Sequence, residues 1–271
     1  MNNPPTSPSI GDRITNMTSN VWRAFGLRNT KLVLFADFIS HYPMPFGLSS
    51  PYGRLYGWNL HEKLHSHEDE TVSFFKKHLK EGDVIADIGT NIGYFTTLFS
   101  YLVGENGRVI SFEPSPTAYA NLLKAVKQKK NVITVNKGIF SKSTTLKLYS
   151  KINGDPMGSV MYERGDLCIE VPVIALRDYD APFTWAKIDV EGAELEVLRG
   201  MKMPLRTVLE VAKGIIEEHG QGVPKFFSDI ESLGYSIYYI VENGEHIAYQ
   251  KENLHLLKNN IYIEPSRSNH L

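Results

Sequence analysis

The chain has 271 residues, 42% of them hydrophobic, enough for one full-sized core preceded by an extended N-terminal region. With 29 Lys and Arg against 30 Asp and Glu, the formal charge of −1 gives no electrostatic reason to expect nucleic acid or an anionic membrane as the partner, and a small molecule is expected instead. The single cysteine, Cys168, excludes an internal disulfide and suits a reducing, cytoplasmic compartment.

In chain order, residues 1–12 are rich in Pro, Ser and Asn and read as a mobile tail without the basic-then-apolar order of a signal peptide. Residues 13–67 follow as a partly helical segment. Ile14, Met17, Val21, Ala24 and Phe25 recur at helical spacing, and Pro43, Pro45, Gly47, Pro51 and Gly53 mark a loop. We expect this segment to act as a lid or a homo-oligomer contact. Its longest apolar run, 32–39, is broken by Asp37 and is far shorter than the ~20 residues of a membrane span.

A single α/β domain is expected over 68–271, opening with an amphipathic helix at 68–79. After Gly82, short runs rich in Val and Ile alternate with helical stretches, the pattern of βαβ units on a parallel sheet. Strands are predicted at 84–88, 109–112, 132–135, 185–188 and 208–211, with helices near 93–103, 116–127, 193–201 and 224–233. Segments 145–149 and 168–174 read as an added β insertion. Two last strands, 235–241 and 260–264, joined by a long loop, complete a doubly wound, mostly parallel, seven-stranded sheet.

The stretch VIADIGTNIGYFTTLFS carries a hydrophobic strand to Asp87 and starts a helix near Ile92, with Gly89 and Gly93 in the turn. Glycines let backbone amides approach a ligand, and the helix start supplies oriented N–H groups. A second strand in RVISFEPSP delivers Glu113, 24 residues after Gly89, where a carboxylate can accept hydrogen bonds from a ribose diol. Any adenosine cofactor fits so far. A dinucleotide loop wants Gly-x-Gly-x-x-Gly for its pyrophosphate, whereas this one reads Asp-x-Gly-x-Asn-x-Gly. An acid before the loop repels pyrophosphate and suits the positively charged side of S-adenosylmethionine. The plainer alternative is that Asp87 and Asn91 cap the helix and Gly93 packs on the sheet.

Further on, WAKIDVEGAELEVLRGM places Lys187, Asp189 and Glu191 at period two as the fourth strand ends. Ligands of open α/β sheets sit beyond the carboxyl ends of strands, so these acids should face the cleft. Closely spaced carboxylates raise one another's pKa and suit a general base for a hydroxyl, with Glu210, at the end of the fifth strand, on the same rim. The competing reading is an ion pair of Lys187 with an acid, plus acidic charge at a helix start.

The blocks DIGTNIGYFT, GRVISFEPSPTAYANL, NVITVNKGIFSKS, GSV at 158–160 and KIDVEGAELEVLRGM resemble the FkbM-type methyltransferases. That resemblance implies a Rossmann-like sheet binding S-adenosylmethionine through Asp87, Gly89, Asn91, Gly93 and Glu113, and Thr90, in the same loop, is a further candidate contact. It also implies an active cleft holding Asp189 and Glu191, and O-methylation of a sugar or natural-product hydroxyl. Thr90 stands where Ala is usual, and Leu176-Arg177-Asp178 where the family has Leu-Asp-Asp. No metal is assigned.

Rival patterns are present. His61-Glu62-Lys63-Leu64-His65 matches the zinc-protease H-E-x-x-H, but Lys63 would put a cation beside the metal and no Gly-x-x-His extension follows. His67 with Glu68, Asp69 and Glu70 reads as a solvated helix start. Lys124, Lys127, Lys129 and Lys130 complement a helix C-terminus. His219 is a candidate auxiliary base, Tyr238, Tyr239 and Tyr249 read as core, and Cys168 reads as an inert residue inside an apolar strand. Two other function classes remain in view: a nicotinamide oxidoreductase on a related sheet, and a non-catalytic cofactor-binding protein.

Overall fold

The computed structural model describes residues 69–150, 158–161, 167–218, 220 and 222–266. The expected tail and lid segment, the His61/Glu62/His65 pattern, His67, Glu68 and His219 lie outside them. The first element is α1 (Asp69–His78), with Asp69 and Glu70 in its first turn and Lys76, Lys77 and His78 in its last, charges that complement the helix dipole at both ends.

Next come β1 (Val84–Ile88), α2 (Tyr94–Leu102), β2 (Arg108–Phe112), α3 (Pro116–Ala125) and β3 (Val132–Val135). A smaller sheet follows from β4 (Gly138–Ile139), β5 (Thr144–Ser150) and β6 (Leu167–Ile174), in the order β4-β6-β5. The chain then returns through β7 (Trp185–Ile188), α4 (Glu194–Arg199), β8 (Arg206–Glu210), α5 (Lys213–Glu218) and α6 (Val223–Ser232). It finishes with β9 (Tyr235–Ile240), β10 (His246–Ala248) and β11 (Asn260–Pro265).

The main sheet runs β10-β9-β11-β8-β7-β1-β2-β3. Pairing is parallel from β8 through β7, β1 and β2 to β3, and antiparallel from β8 to β11, β11 to β9 and β9 to β10. All seven predicted strands are in it, with β10 as an eighth at one edge.

The central strands are apolar on both sides because helices cover both faces. Ile85, Val109, Trp185 and Val208 turn to the layer holding Phe75 and Phe99. Their neighbours Ala86, Ile110, Ala186 and Leu209 turn to the opposite layer, with Val197, Phe226 and Phe227. By the same alternation Asp87, Ser111 and Lys187 fall on the α2 side. Three polar side chains buried at the strand ends are costly unless partnered, which marks the place where the fold serves something besides packing.

Three readings need correction. The long loop between the last two predicted strands contains β10, too short to show a period. α5, a helix not predicted, has only the adjacent pair Ile215 and Ile216 buried, so it lacks a helical repeat. Cys168 does sit in β6, but it is exposed, as are Leu167 and Ile169, because nothing among the described residues covers that end of the small sheet. No helix among the described residues is long and apolar enough to cross a membrane.

Candidate active site

From β1 the chain steps outward through β2 to β3 on one side and through β7 to β8 on the other, so the strand order reverses between β1 and β7. Ligands of such sheets bind at that reversal, beyond the strands' carboxyl ends. Asp87 in β1, Glu113 just after β2, Asp189 just after β7 and Glu210 closing β8 all stand there, on four adjacent strands.

Asp87 is 1% exposed. Its Oδ2 accepts the Thr96 hydroxyl at 2.6 Å, and Thr96 also meets the Ser111 hydroxyl at 3.1 Å. Burial pushes the Asp87 carboxyl up to about 6, against the pull of the Lys187 ammonium and the Thr96 hydroxyl. The capping alternative does not describe it: the N-cap of α2 is Gly93, which receives no side-chain cap. Gly89 (φ 79), Asn91 (φ 51) and Gly93 (φ 91) bend the loop through left-handed backbone. At Gly89 a Cβ would lie 1.8 Å from the Asp189 carbonyl oxygen, so a bare backbone is obligatory where the two strand ends meet.

Glu113 is tied into this loop. One carboxylate oxygen accepts the Asn91 N–H and the other the Ser115 N–H, each at 2.8 Å. Burial pushes the carboxyl up to about 7 against those two donors, and the charges of Asp189 and Asp87 push it further. The mutual influence of Asp87, Glu113 and Asp189 places them around one region. Four buried oxygens of the loop and the start of α2 have no hydrogen-bond partner among the described residues: Asp87 Oδ1, Thr90 Oγ1, Asn91 Oδ1 and Thr97 Oγ1. Buried polar atoms are nearly always satisfied, so such a cluster is what a donor-rich ligand completes.

The second group centres on Lys187, 2% exposed, whose ammonium donates to Asp189 Oδ2 at 2.8 Å and lies 4.4 Å from the centre of the Phe95 ring. The predicted ion pair is therefore present, and it lies inside the acid cluster. Carboxylate oxygens of Asp189, Glu191 and Glu210 fall within 4.8 Å of one another, a spacing that suits a divalent cation or a shared proton. Burial drives the Glu210 carboxyl far above its ordinary range, and its hydrogen bond with Asp189 adds to this. Glu191 reaches the group by another route than the one expected: β7 ends at Ile188, and Glu191 adopts left-handed backbone (φ 53). Period-two alternation does not place it there.

Several residues of the site have no local signal in the sequence. Thr96 and Ser111 resemble any other hydroxyl until the register brings them to Asp87. Glu194, 1% exposed, accepts the Gly192 N–H at 2.9 Å, and burial pushes its carboxyl up to about 7. Arg177 stands apart from the acids: it donates to the carbonyls of Ser141 and Arg199, bracing the end of α4 against the small sheet.

The family model described as Methyltransferase FkbM domain matches residues 87–252. The hexuronic acid methyltransferase AglP of Haloferax volcanii is 27% identical over 168 residues, 58% of this chain and 65% of that protein. A protein-L-isoaspartate O-methyltransferase 1 from Arabidopsis thaliana is 36% identical over 55 residues, 20% of this chain and 24% of that protein. The chain thus spans less than two thirds of the length of either relative. Among solved structures, a SAM-dependent methyltransferase from Aquifex aeolicus superposes with a TM-score of 0.44 at 16% identity, over 79% of this chain and 98% of that one.

Proposed function

Given that the chain belongs to the methyltransferase FkbM domain family, we propose that it binds S-adenosylmethionine and O-methylates a hydroxyl of a sugar or similar small polar molecule. The observation that carries this reading is the set of four buried oxygens, on residues Asp87 to Thr97, that have no hydrogen-bond partner among the described residues. Such a surface asks for a ligand rich in hydrogen-bond donors and positive charge. It would repel the pyrophosphate of a nicotinamide cofactor, which argues against the oxidoreductase alternative.

In this reading Asp87, with Gly89, Thr90, Asn91 and Gly93, receives the amino-acid end of the cofactor, and Glu113 receives its ribose hydroxyls. When bound, S-adenosylmethionine supplies a methyl group on a cationic sulfur to an in-line nucleophile. The protein's part is to orient that nucleophile and to take its proton. Asp189 is the base. Lys187 favours its ionised form, and Glu210, holding its own proton, donates toward it. Glu191 anchors a second hydroxyl of the acceptor. The sugar assignment is supported by the hexuronic acid methyltransferase relative, and a cytoplasmic setting by one exposed thiol with no second cysteine.

The test is calorimetry with S-adenosylhomocysteine and NAD, followed by transfer of labelled methyl from S-adenosylmethionine to neutral and uronic acid glycosides. Binding of the first ligand alone, with label on a glycoside oxygen, is the expected result. Binding of NAD alone would overturn the cofactor assignment. S-adenosylhomocysteine binding without transfer to any glycoside would overturn the acceptor.

A further inference from the structure

The peptide joining Glu191 to Gly192 is held on both edges by buried side chains from two separate elements. On one edge, the Ser159 hydroxyl donates to the Glu191 carbonyl at 2.8 Å. On the other, the Gly192 N–H donates to the Glu194 carboxylate at 2.9 Å. Ser159 is 0% exposed and is anchored in the small sheet: its N–H and carbonyl both pair with Tyr149 of β5, at 3.0 and 2.9 Å. Glu194 begins α4 and is 1% exposed.

This peptide needs holding. Glu191 (φ 53) and Gly192 (φ 105) are both left-handed, and for a residue with a Cβ that backbone is strained. Such strain persists only where surrounding contacts over-determine the conformation. Here they do so, and the outcome is a Glu191 carboxylate lying within 4.8 Å of those of Asp189 and Glu210. An extended Glu191 would instead follow the line of β7.

We propose that Ser159 and Glu194 are positioning residues that clamp the Glu191–Gly192 peptide and so fix the Glu191 carboxylate in the acid cluster. The inference rests on the reading of that cluster as the methyl-acceptor site. It gives the small sheet a role in the site: through one hydroxyl it sets the shape of a loop 32 residues away in sequence.

The test has a structural arm and a functional arm, both on the full chain. Ser159→Ala and Glu194→Met each remove one edge of the clamp, while Glu194→Gln keeps an oxygen for the Gly192 N–H. Hydrogen exchange at the Gly192 amide should accelerate about tenfold in the first two variants and stay near the parent rate in the third. Methyl transfer to a methyl hexuronoside should lose about tenfold in kcat with S-adenosylhomocysteine affinity unchanged, and Glu194→Gln should restore it. In a Glu191→Ala background, Ser159→Ala should cost less than about twofold more, since the group it positions is gone. An unchanged Gly192 exchange rate in Ser159→Ala overturns the clamp. Accelerated exchange with full transfer, or equal losses with and without the Glu191 carboxylate, overturns the positioning role. Failure of the acceptor reading is distinct: the parent chain would then transfer no methyl, and Gly192 exchange would still decide whether the clamp exists.

Discussion

Glu113 accepts the backbone N–H of Asn91 at 2.8 Å, so the acid delivered by the second strand holds the glycine loop that follows the first. Its other oxygen takes the Ser115 N–H at the start of α3. One carboxylate thereby aligns two loops before any ligand arrives.

Glu113→Gln keeps one accepting oxygen and turns the other position into a donor facing an N–H. It should cost about 1 to 3 kcal/mol of stability and weaken S-adenosylhomocysteine binding by tenfold or more, to about 100-fold. Urea unfolding and calorimetry measure the two effects. Unchanged affinity would remove Glu113 from the cofactor site.

Gly89 and Gly93 should differ sharply on substitution, although both are left-handed. The methyl of Gly89→Ala would lie 1.8 Å from backbone at Asp189, and that of Gly93→Ala 2.7 Å from the tip of the Leu122 side chain, which can move. Gly93→Ala should cost roughly 1 to 2 kcal/mol from backbone strain. Gly89→Ala should cost more and disturb cofactor and acceptor sites together, as unfolding midpoints and transfer assays would reveal.

pH should move stability and cofactor affinity in opposite directions. Burial raises Asp87 to about 6 and Glu113 and Glu194 to about 7, so above the unfolded values the native state binds protons that the unfolded chain has lost. Stability therefore falls as pH rises through these values, by on the order of 1 kcal/mol per group per pH unit. His78 works the other way, since burial lowers its pKa from 6.5 and stability falls once the unfolded chain takes up that proton, so the useful window is pH 6.5 to 8. Across it the unfolding midpoint of the free protein should be higher at the acidic end. S-adenosylhomocysteine should there bind about fivefold more weakly, because its ribose hydroxyls and ammonium need carboxylates. Parallel trends in both measurements would contradict the assignment.

Asp189→Ala should abolish methyl transfer with little change in S-adenosylhomocysteine affinity. Lys187→Met should lower kcat by a factor of ten or more, to about 100-fold, and move the acidic limb of the pH profile upward, since Asp189 loses the cation that keeps it ionised. A Lys187 variant with an unshifted profile would show that the ammonium serves packing on Phe95 alone.

How much of this was legible in the sequence differs from residue to residue. The five parallel strands were, because Val and Ile runs between turn residues have few other uses, and so was the placing of Asp87, Glu113, Asp189 and Glu210 at the carboxyl ends of adjacent strands. Glu191 was assigned to the site, but the expected alternation could not foresee its left-handed turn. That conformation depends on Ser159, which pattern reasoning cannot link to it over 32 residues. Similarly, the apolar run around Cys168 announced a strand but carried no information about what would cover it.

The place of β11 has a consequence for synthesis. It lies between β8 and β9 and pairs antiparallel with both, Asn260 standing opposite Glu210. During vectorial translation every acid of the site has already emerged while the flank of β8 is still bare, an invitation to wrong pairing. Productive maturation therefore waits on a segment 50 residues downstream of Glu210, and a ribosome-stalled chain lacking it should be held by chaperones until the gap is filled.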